Sequence, residues 1–237
     1  MEYTYNFDKD ACWYKEVCPL CNTEDCSPSC IKYHKMDYLA TMALLTKKQQ
    51  HPKKLYVEQI DAVAYTRLNE IKTNIKQFVT DEKNLLIYSK NVGNGKSSWA
   101  IKILMNYFNQ IWASTDFVCR GLFINIPRFL NSLKESIKES SEYIEHIRNN
   151  IISADIVIWD ELGIKDLTQY EHDYLFSYIN ARLDEGKSNI FTSNMSTDEL
   201  ATILGARLHS RIVNNSECIE LKGIDKRGLC IWLIYKY

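Results

Sequence analysis

The apolar run Leu85-Leu86-Ile87-Tyr88 is followed within a few residues by Gly93-Asn94-Gly95-Lys96-Ser97-Ser98 and then by a stretch of helical period. No other feature constrains the fold as strongly. A short strand that turns through two glycines into a helix is the building unit of parallel α/β proteins. The glycines let the backbone close around phosphate oxygens, so that successive N–H groups point inward. The helix start adds its positive end, and Lys96 would neutralise β- and γ-phosphate charge. Ser97 is placed to hold Mg2+ and Ser98 follows it into the helix. The pattern G-x4-G-K-[ST] is met except at its first position, where Lys90 stands.

Downstream, short apolar runs alternate with helical periodicity. Strands are expected over 84–89, 120–126, 155–159, 189–192, 218–221 and 229–235. Helices are expected over 31–45, 57–78 and 97–112, within 127–152, and over 170–185 and 197–213. Such alternation predicts a parallel sheet covered on both faces.

Ile156-Val157-Ile158-Trp159 runs straight into Asp160-Glu161, which puts two carboxylates at the carboxyl edge of a strand, where open α/β sheets bind ligands. Asp160 would orient the magnesium shell and Glu161 would polarise an attacking water. Ile190-Phe191-Thr192 ends in Ser193-Asn194, and Asn194 offers a neutral polar group at the same edge. Arg207 and Arg211, four apart, share one helix face. Either is a candidate arginine finger toward a neighbouring subunit.

Five of the eight cysteines, Cys12, Cys18, Cys21, Cys26 and Cys30, lie within residues 12–30, and His34 follows. The first twenty residues are too polar for a signal peptide, and no apolar run approaches the ~20 residues of a spanning helix. The expected location is therefore the cytoplasm, without membrane attachment. In that reducing compartment a dense cysteine cluster is better explained by a metal than by disulfides. Four of the five cysteines are expected to bind Zn2+, which would contribute about 10 kcal/mol or more to folding. Lys47, Lys48, Lys53 and Lys54 surround Pro52 in a linker-like stretch. The expected division is a cysteine-rich module over 1–46, a linker over 47–54 and a larger domain over 55–237. The net charge of −1 excludes a polycationic nucleic-acid coat.

Taken together, YSKNVGNGKSSWA (88–100), GLFINIPRFLNSLK (121–134), DIVIWDELG (155–163), NIFTSN (189–194), GARLHSRI (205–212) and IELKGIDKRG (219–228) resemble the AAA+ ATPases, specifically helicase loaders of the DnaC/DnaI type. The resemblance covers roughly residues 55 to 228. It implies an α/β/α P-loop fold with a parallel five-stranded sheet in the order 5-1-4-3-2, preceded by a small zinc-bearing module that binds helicase. In its terms Lys96 is the Walker A lysine, Asp160 and Glu161 are Walker B, Asn194 is sensor 1, and Arg211 is the finger with Arg207 in reserve. Asp225 and Arg227 fall where the family has a D-x-R.

Only sixteen residues follow Leu221, which within this resemblance favours the lidless loader branch. The implied activity is ATP hydrolysis at subunit interfaces, coupled to loading a hexameric replicative helicase onto single-stranded DNA. That implies three partners: the helicase, single-stranded DNA, and further copies of the chain assembled through ATP. The compact size suits a phage-borne replication protein. Residues near Ile126-Pro127-Arg128-Phe129 would meet DNA, although an ordinary helix start with Phe129 in the core is the favoured reading. The alternatives are an IstB-type transposition helper, or a nucleotide-switched zinc adaptor that recruits or inhibits a replication factor.

Overall fold

The computed structural model describes residues 2–21, 23, 26–52, 55, 58–136, 139–163 and 167–226. The helices are α1 (Ile31–Met42), α2 (Lys47–Gln50), α3 (Ala62–Thr73), α4 (Ile75–Thr80), α5 (Lys96–Ile111), α6 (Ile126–Glu135), α7 (Glu142–Asn150), α8 (Gln169–Asp184) and α9 (Thr197–Val213). The strands are β1 (Asn84–Tyr88), β2 (Gly121–Asn125), β3 (Ile156–Leu162), β4 (Ser188–Ser193) and β5 (Ser216–Glu220). All pairings are parallel, in the order β2-β3-β4-β1-β5. Read from the β5 edge this is 5-1-4-3-2, the order the resemblance implies. The expected strand over 229–235 and Arg227 lie outside the described residues.

Alternation along the strands divides the core in two, because successive side chains leave opposite faces of a sheet. Leu85, Ile87, Ile156, Ile158 and Ile190 enter one cluster, with α1, α3, α4 and α5. Leu86, Val157, Trp159 and Phe191 enter the other, with α6 to α9. The central strands are buried on both sides, which is why they read as unbroken apolar runs in the sequence.

The single helix expected over 57–78 is instead a 3-10 turn at Gln59–Asp61, then α3 and α4, with the break at Asn74. Both helices still bury the expected stripe: Leu68, Ile71, Ile75 and Phe78. The continuous helix over 197–213 is kinked at Gly205, which adopts φ 69° and ψ 160°. The ring of His172 lies 2.8 Å from the Leu204 carbonyl oxygen, which the kink takes out of the helical ladder.

Residues 31–50 are built into the same core as the strands. Met36, Leu39, Ala40, Ala43 and Leu45 join Leu104, Phe108 and Phe123 in one cluster, and the Phe123 N–H donates to the Ala43 carbonyl at 2.8 Å. Thr46 and Gln49 form a capping box that makes α2 a helical turn inside the stretch expected to be a linker. Beneath the sheet, Arg182 is wholly buried and donates to the carbonyls of Ile151, Ala154 and Ser188 and to Asn189 Oδ1. Burial holds this guanidinium down at about 9.

Candidate nucleotide site

At the carboxyl ends of β1, β3 and β4 a cavity of about 380 Å³ is lined by Val92, Gly93, Gly95, Lys96, Ser97, Ser98, Glu161, Thr192, Ser193 and Asn194. Seven of these ten, all but Val92, Thr192 and Ser193, were candidates from the sequence. Gly93 and Gly95 hold φ values of 69° and 108°, the left-handed region where a side chain would strain the loop. A Cβ on Gly95 would also meet Leu55 Cδ2 at 3.2 Å.

The loop is organised from beneath by its own asparagines. Asn94 Nδ2 donates to Ser89 Oγ at 2.6 Å and to the Leu221 carbonyl at 3.2 Å. Asn91 Nδ2 donates to the carbonyls of Lys222 and Gly223. The Asn94 side chain is thus buried under the loop and faces away from the cavity, and only its backbone remains for phosphate. Lys96 Nζ donates to the Asn91 carbonyl at 2.8 Å and to Asn94 Oδ1 at 3.2 Å, so the ammonium is already held across the loop. Lys90, at the departure from the expected pattern, points outward into an ion pair with Glu199 at 3.2 Å.

The two acids of β3 take different environments. Asp160 is buried, and burial pushes its carboxyl above the ordinary carboxylate range. Hydrogen bonds from Ser97, Thr192 and Asn125 pull it back, while the neighbouring charge of Glu161 pushes it up. The Thr192 hydroxyl donates to Asp160 Oδ1 at 2.7 Å.

The backbone of Glu161 sits at φ 65°, although it carries a side chain. Such a conformation costs about 1–3 kcal/mol and persists only where surroundings over-determine it. Here its N–H donates to Thr192 Oγ1 at 3.1 Å, and its Oε2 accepts from Asn125 Nδ2 at 2.8 Å. The register of β3 against β4 shifts between Trp159 and Leu162; Glu161 lines the phosphate-loop cavity, whereas Asp160 lines a separate one with Asn125 and Arg128.

Thr192 and Asn125, which bond to the two acids, are candidate site residues the motifs did not single out. Thr192 lay within the quoted run before Asn194. Asn125 Oδ1 accepts the Arg128 N–H at 3.2 Å and so caps α6, while its Nδ2 serves the acids. An asparagine at a strand end directly before a proline-containing helix start is the signal that would have marked it.

Magnesium fits this donor set: the Ser97 hydroxyl lies in hydrogen-bond reach of the Asp160 carboxylate, beside the phosphate loop. Both are hard oxygen ligands of the kind that cation takes together with substrate phosphates. Asn194 lines the same cavity. Arg207 and Arg211 do not line it. Both are exposed on the second half of α9, with the Arg207 guanidinium 5.1 Å from the Phe176 ring centroid. Ile126 and Phe129 are buried in the core and only Arg128 of that segment is exposed, which is the ordinary helix start.

The five amino-terminal cysteines are not drawn together as a metal set. Among the described residues no three His, Cys, Asp or Glu side chains are grouped to hold a metal ion. Cys21 is buried and in hydrogen-bond reach of Cys26, with Cys18 close enough to act on it electrostatically. Cys12 and Cys30 act instead on Tyr14.

No helix among the described residues is long and apolar enough to cross a membrane.

A family model described as IstB-like ATP binding protein matches residues 35–227. The replicative helicase loader DnaC of Escherichia coli strain K12 is 21% identical over 184 residues, covering 76% of this chain. The chain spans 62% of the length of that relative. Among solved structures, the DnaC helicase loader superposes with a TM-score of 0.57 at 20% identity, over 73% of this chain and 93% of that one. DnaI superposes with a TM-score of 0.58 at 18% identity, over 77% and 94% respectively. At those identities the structural likeness speaks for the fold.

Proposed function

Because the chain belongs to the IstB-like ATP binding protein family, we propose that it is an ATPase of DNA replication that loads a hexameric replicative helicase onto single-stranded DNA. The observation that carries this reading is the convergence in one cavity of the phosphate loop, Glu161 and Asn194, within a fold that superposes on helicase loaders.

In this reading the N–H groups of 93–98 and Lys96 bind the triphosphate. Ser97 and Asp160 would hold magnesium, whose positive charge would offset that of the phosphate oxygens. Glu161, fixed by Asn125 and by the Thr192 clamp on its backbone, accepts a hydrogen bond from the attacking water and aligns it. Asn194 steadies that water from the β4 side. Arg211 reaches the γ-phosphate of the neighbouring subunit, with Arg207 in reserve, so that hydrolysis removes an intersubunit bond and loosens the assembly. The separation of both arginines from the cavity of their own chain supports a role in trans.

Single-stranded DNA would run over α8. Tyr170, Tyr174 and Tyr178 form a ladder with ring centroids 5.7 and 5.2 Å apart, and Tyr170 is 48% exposed. Arg148 Nε donates to the Tyr174 hydroxyl at 3.1 Å. Aromatic faces flanked by cations bind single strands without sequence preference.

Zinc at four of Cys12, Cys18, Cys21, Cys26 and Cys30 is a proposal resting on spacing. Elemental analysis is expected to give one zinc per chain, and none would remove it. The family match keeps a second reading, a transposition helper acting on duplex DNA. Steady-state ATPase assays with single-stranded DNA, duplex DNA and the replicative helicase separate the two. Stimulation by helicase and single strands supports the loader, and stimulation by duplex alone overturns it.

A further inference from the structure

The bend at Gly205 divides α9 into a first half, residues 197–204, and a second half, residues 206–213, which carries Arg207 and Arg211. With φ 69° and ψ 160°, Gly205 occupies a region essentially reserved for glycine. A Cβ there would have room, since the nearest atom it would meet is His172 Nε2 at 3.8 Å. The glycine therefore serves the backbone and not the packing.

Two imidazoles hold the bend. His172 of α8 places Nε2 2.8 Å from the Leu204 carbonyl oxygen, the last of the first half. His209, in the second half, places Nε2 3.0 Å from the carbonyl oxygen of Thr197, which opens the first half. In an unbroken helix these two residues would stand about 18 Å apart along the axis, beyond the reach of an imidazole. The contact exists because the chain bends. A carbonyl can only accept, so both rings carry a proton on Nε2.

The two arginines are treated differently. The Arg207 guanidinium lies 5.1 Å from the Phe176 ring centroid, and the Phe176 ring is parallel to that of His172, one turn away on α8, with centroids 6.5 Å apart. Arg207 thus braces the second half against α8. Arg211 is exposed and makes no ion pair among the described residues, which leaves its guanidinium to another molecule. The first half is fixed to the nucleotide site, because it begins just after Asn194 and its Glu199 pairs with Lys90 at 3.2 Å. The angle at Gly205 therefore sets where Arg211 stands relative to that site.

We propose that His172 and His209 are positioning residues for the arginine supplied to the neighbouring subunit: through Leu204 and Thr197 they fix the angle at which the second half of α9 presents Arg211. The proposal rests on the reading of Arg211 as a finger in trans. Neither histidine lines the nucleotide cavity of its own chain. Losing either ring should leave ATP binding intact and slow the reaction.

The test follows steady-state hydrolysis by the full chain with oligo-dT present, together with the melting temperature. His172→Leu and His209→Leu remove the donor and keep a bulky side chain. Each should lower kcat by about ten- to 100-fold, the scale on which a misplaced reacting group loses rate, with KM for ATP unchanged. His209→Gln keeps an N–H at similar reach and should keep most of the turnover. Mixing decides between a positioning and a merely structural role. Glu161→Gln subunits are inactive themselves but carry well-placed arginines, and added to a histidine variant they should restore part of its turnover. A defect in the variant's own nucleotide site could not be relieved in this way. Gly205→Ala leaves both rings in place and favours a straight helix, so it should show the same loss and the same relief even where a leucine variant melts low. Unchanged kcat in these variants, or a lowered kcat that Glu161→Gln subunits fail to relieve, overturns the proposal. Arg211→Ala, run alongside, separates it from the finger reading. If Arg211→Ala loses turnover and is relieved by mixing while the histidine variants match the unaltered chain, only the positioning role falls. Normal turnover by Arg211→Ala removes the finger reading and the positioning role with it.

Discussion

The crevice at the strand ends and the amino-terminal segment hold their side chains in different ways. In the crevice, polar groups fix one another: Thr192 and Asp160, and Glu161 and Asn125, across neighbouring strands, and Asn94 and Ser89 within the loop after β1. In the amino-terminal segment, rings pack on rings, as Tyr5 does on His34, Phe7 on Tyr33 and Trp13 on His51, and the cysteines lie among them without a common focus. Preorganised donors and acceptors suit chemistry on a charged substrate. Stacked rings fix a surface and leave its chemistry to whatever binds there. The contrast supports the proposal of catalysis in the first region and of partner attachment in the second.

The largest expected effect falls on the crevice. Lys96→Ala should weaken ATP binding by about 100-fold or more, because a charge-assisted contact and the loop's internal brace are lost together; calorimetry reads this, and near-normal affinity would break the assignment. Glu161→Gln should keep ATP binding and lower turnover by about 10²–10⁴-fold. Arg211→Ala should likewise bind normally but lose hydrolysis and ATP-dependent assembly by about 10³-fold, measured by turnover and by sedimentation with and without ATP.

A smaller effect concerns pH. The Asp160 carboxyl is raised in the folded chain, so the folded state binds its proton more tightly than the unfolded state does. Stability from this group is present below the ordinary carboxylate pKa and is lost as pH rises through the raised one. Asp160→Asn should therefore raise the melting temperature near neutral pH by about 2–4 °C while abolishing magnesium-dependent ATP binding. A lowered melting temperature would show that its hydrogen bonds outweigh its burial. The smallest effect is at the edge strand β5, where Arg67 pairs with Glu217 at 2.6 Å and Glu70 at 2.8 Å, all half-exposed. Arg67→Ala should cost about 1 kcal/mol or less and leave ATP binding unchanged.

The same contrast explains what could be read from the sequence. Strands buried on both faces advertise themselves as apolar runs, and acids or asparagines at their ends share one crevice because the strands are parallel. β1, β3, β4 and most of the cavity lining followed from that. Thr192 was harder to see, because its role depends on the register of β4 against β3, where the backbone of Glu161 turns left-handed. The break at Asn74 and the kink at Gly205 were hidden because the apolar stripe continues across both. The position of α1 was also hidden, since its apolar residues show that it packs but not that its partner is α5.

That partner has a mechanical consequence. The helix that opens at the phosphate loop carries Leu104 and Phe108, against which Met36 and Leu39 rest, and each fully buried side chain of this size is worth about 1.5–3 kcal/mol. Residues 31–45 and the sheet thus melt as one cooperative unit. Cutting the chain near residue 55 would bare an oily flank of α5, yielding a sticky fragment in place of an independent ATPase. Force applied to α1 would bear on α5, whose first turn closes the phosphate loop.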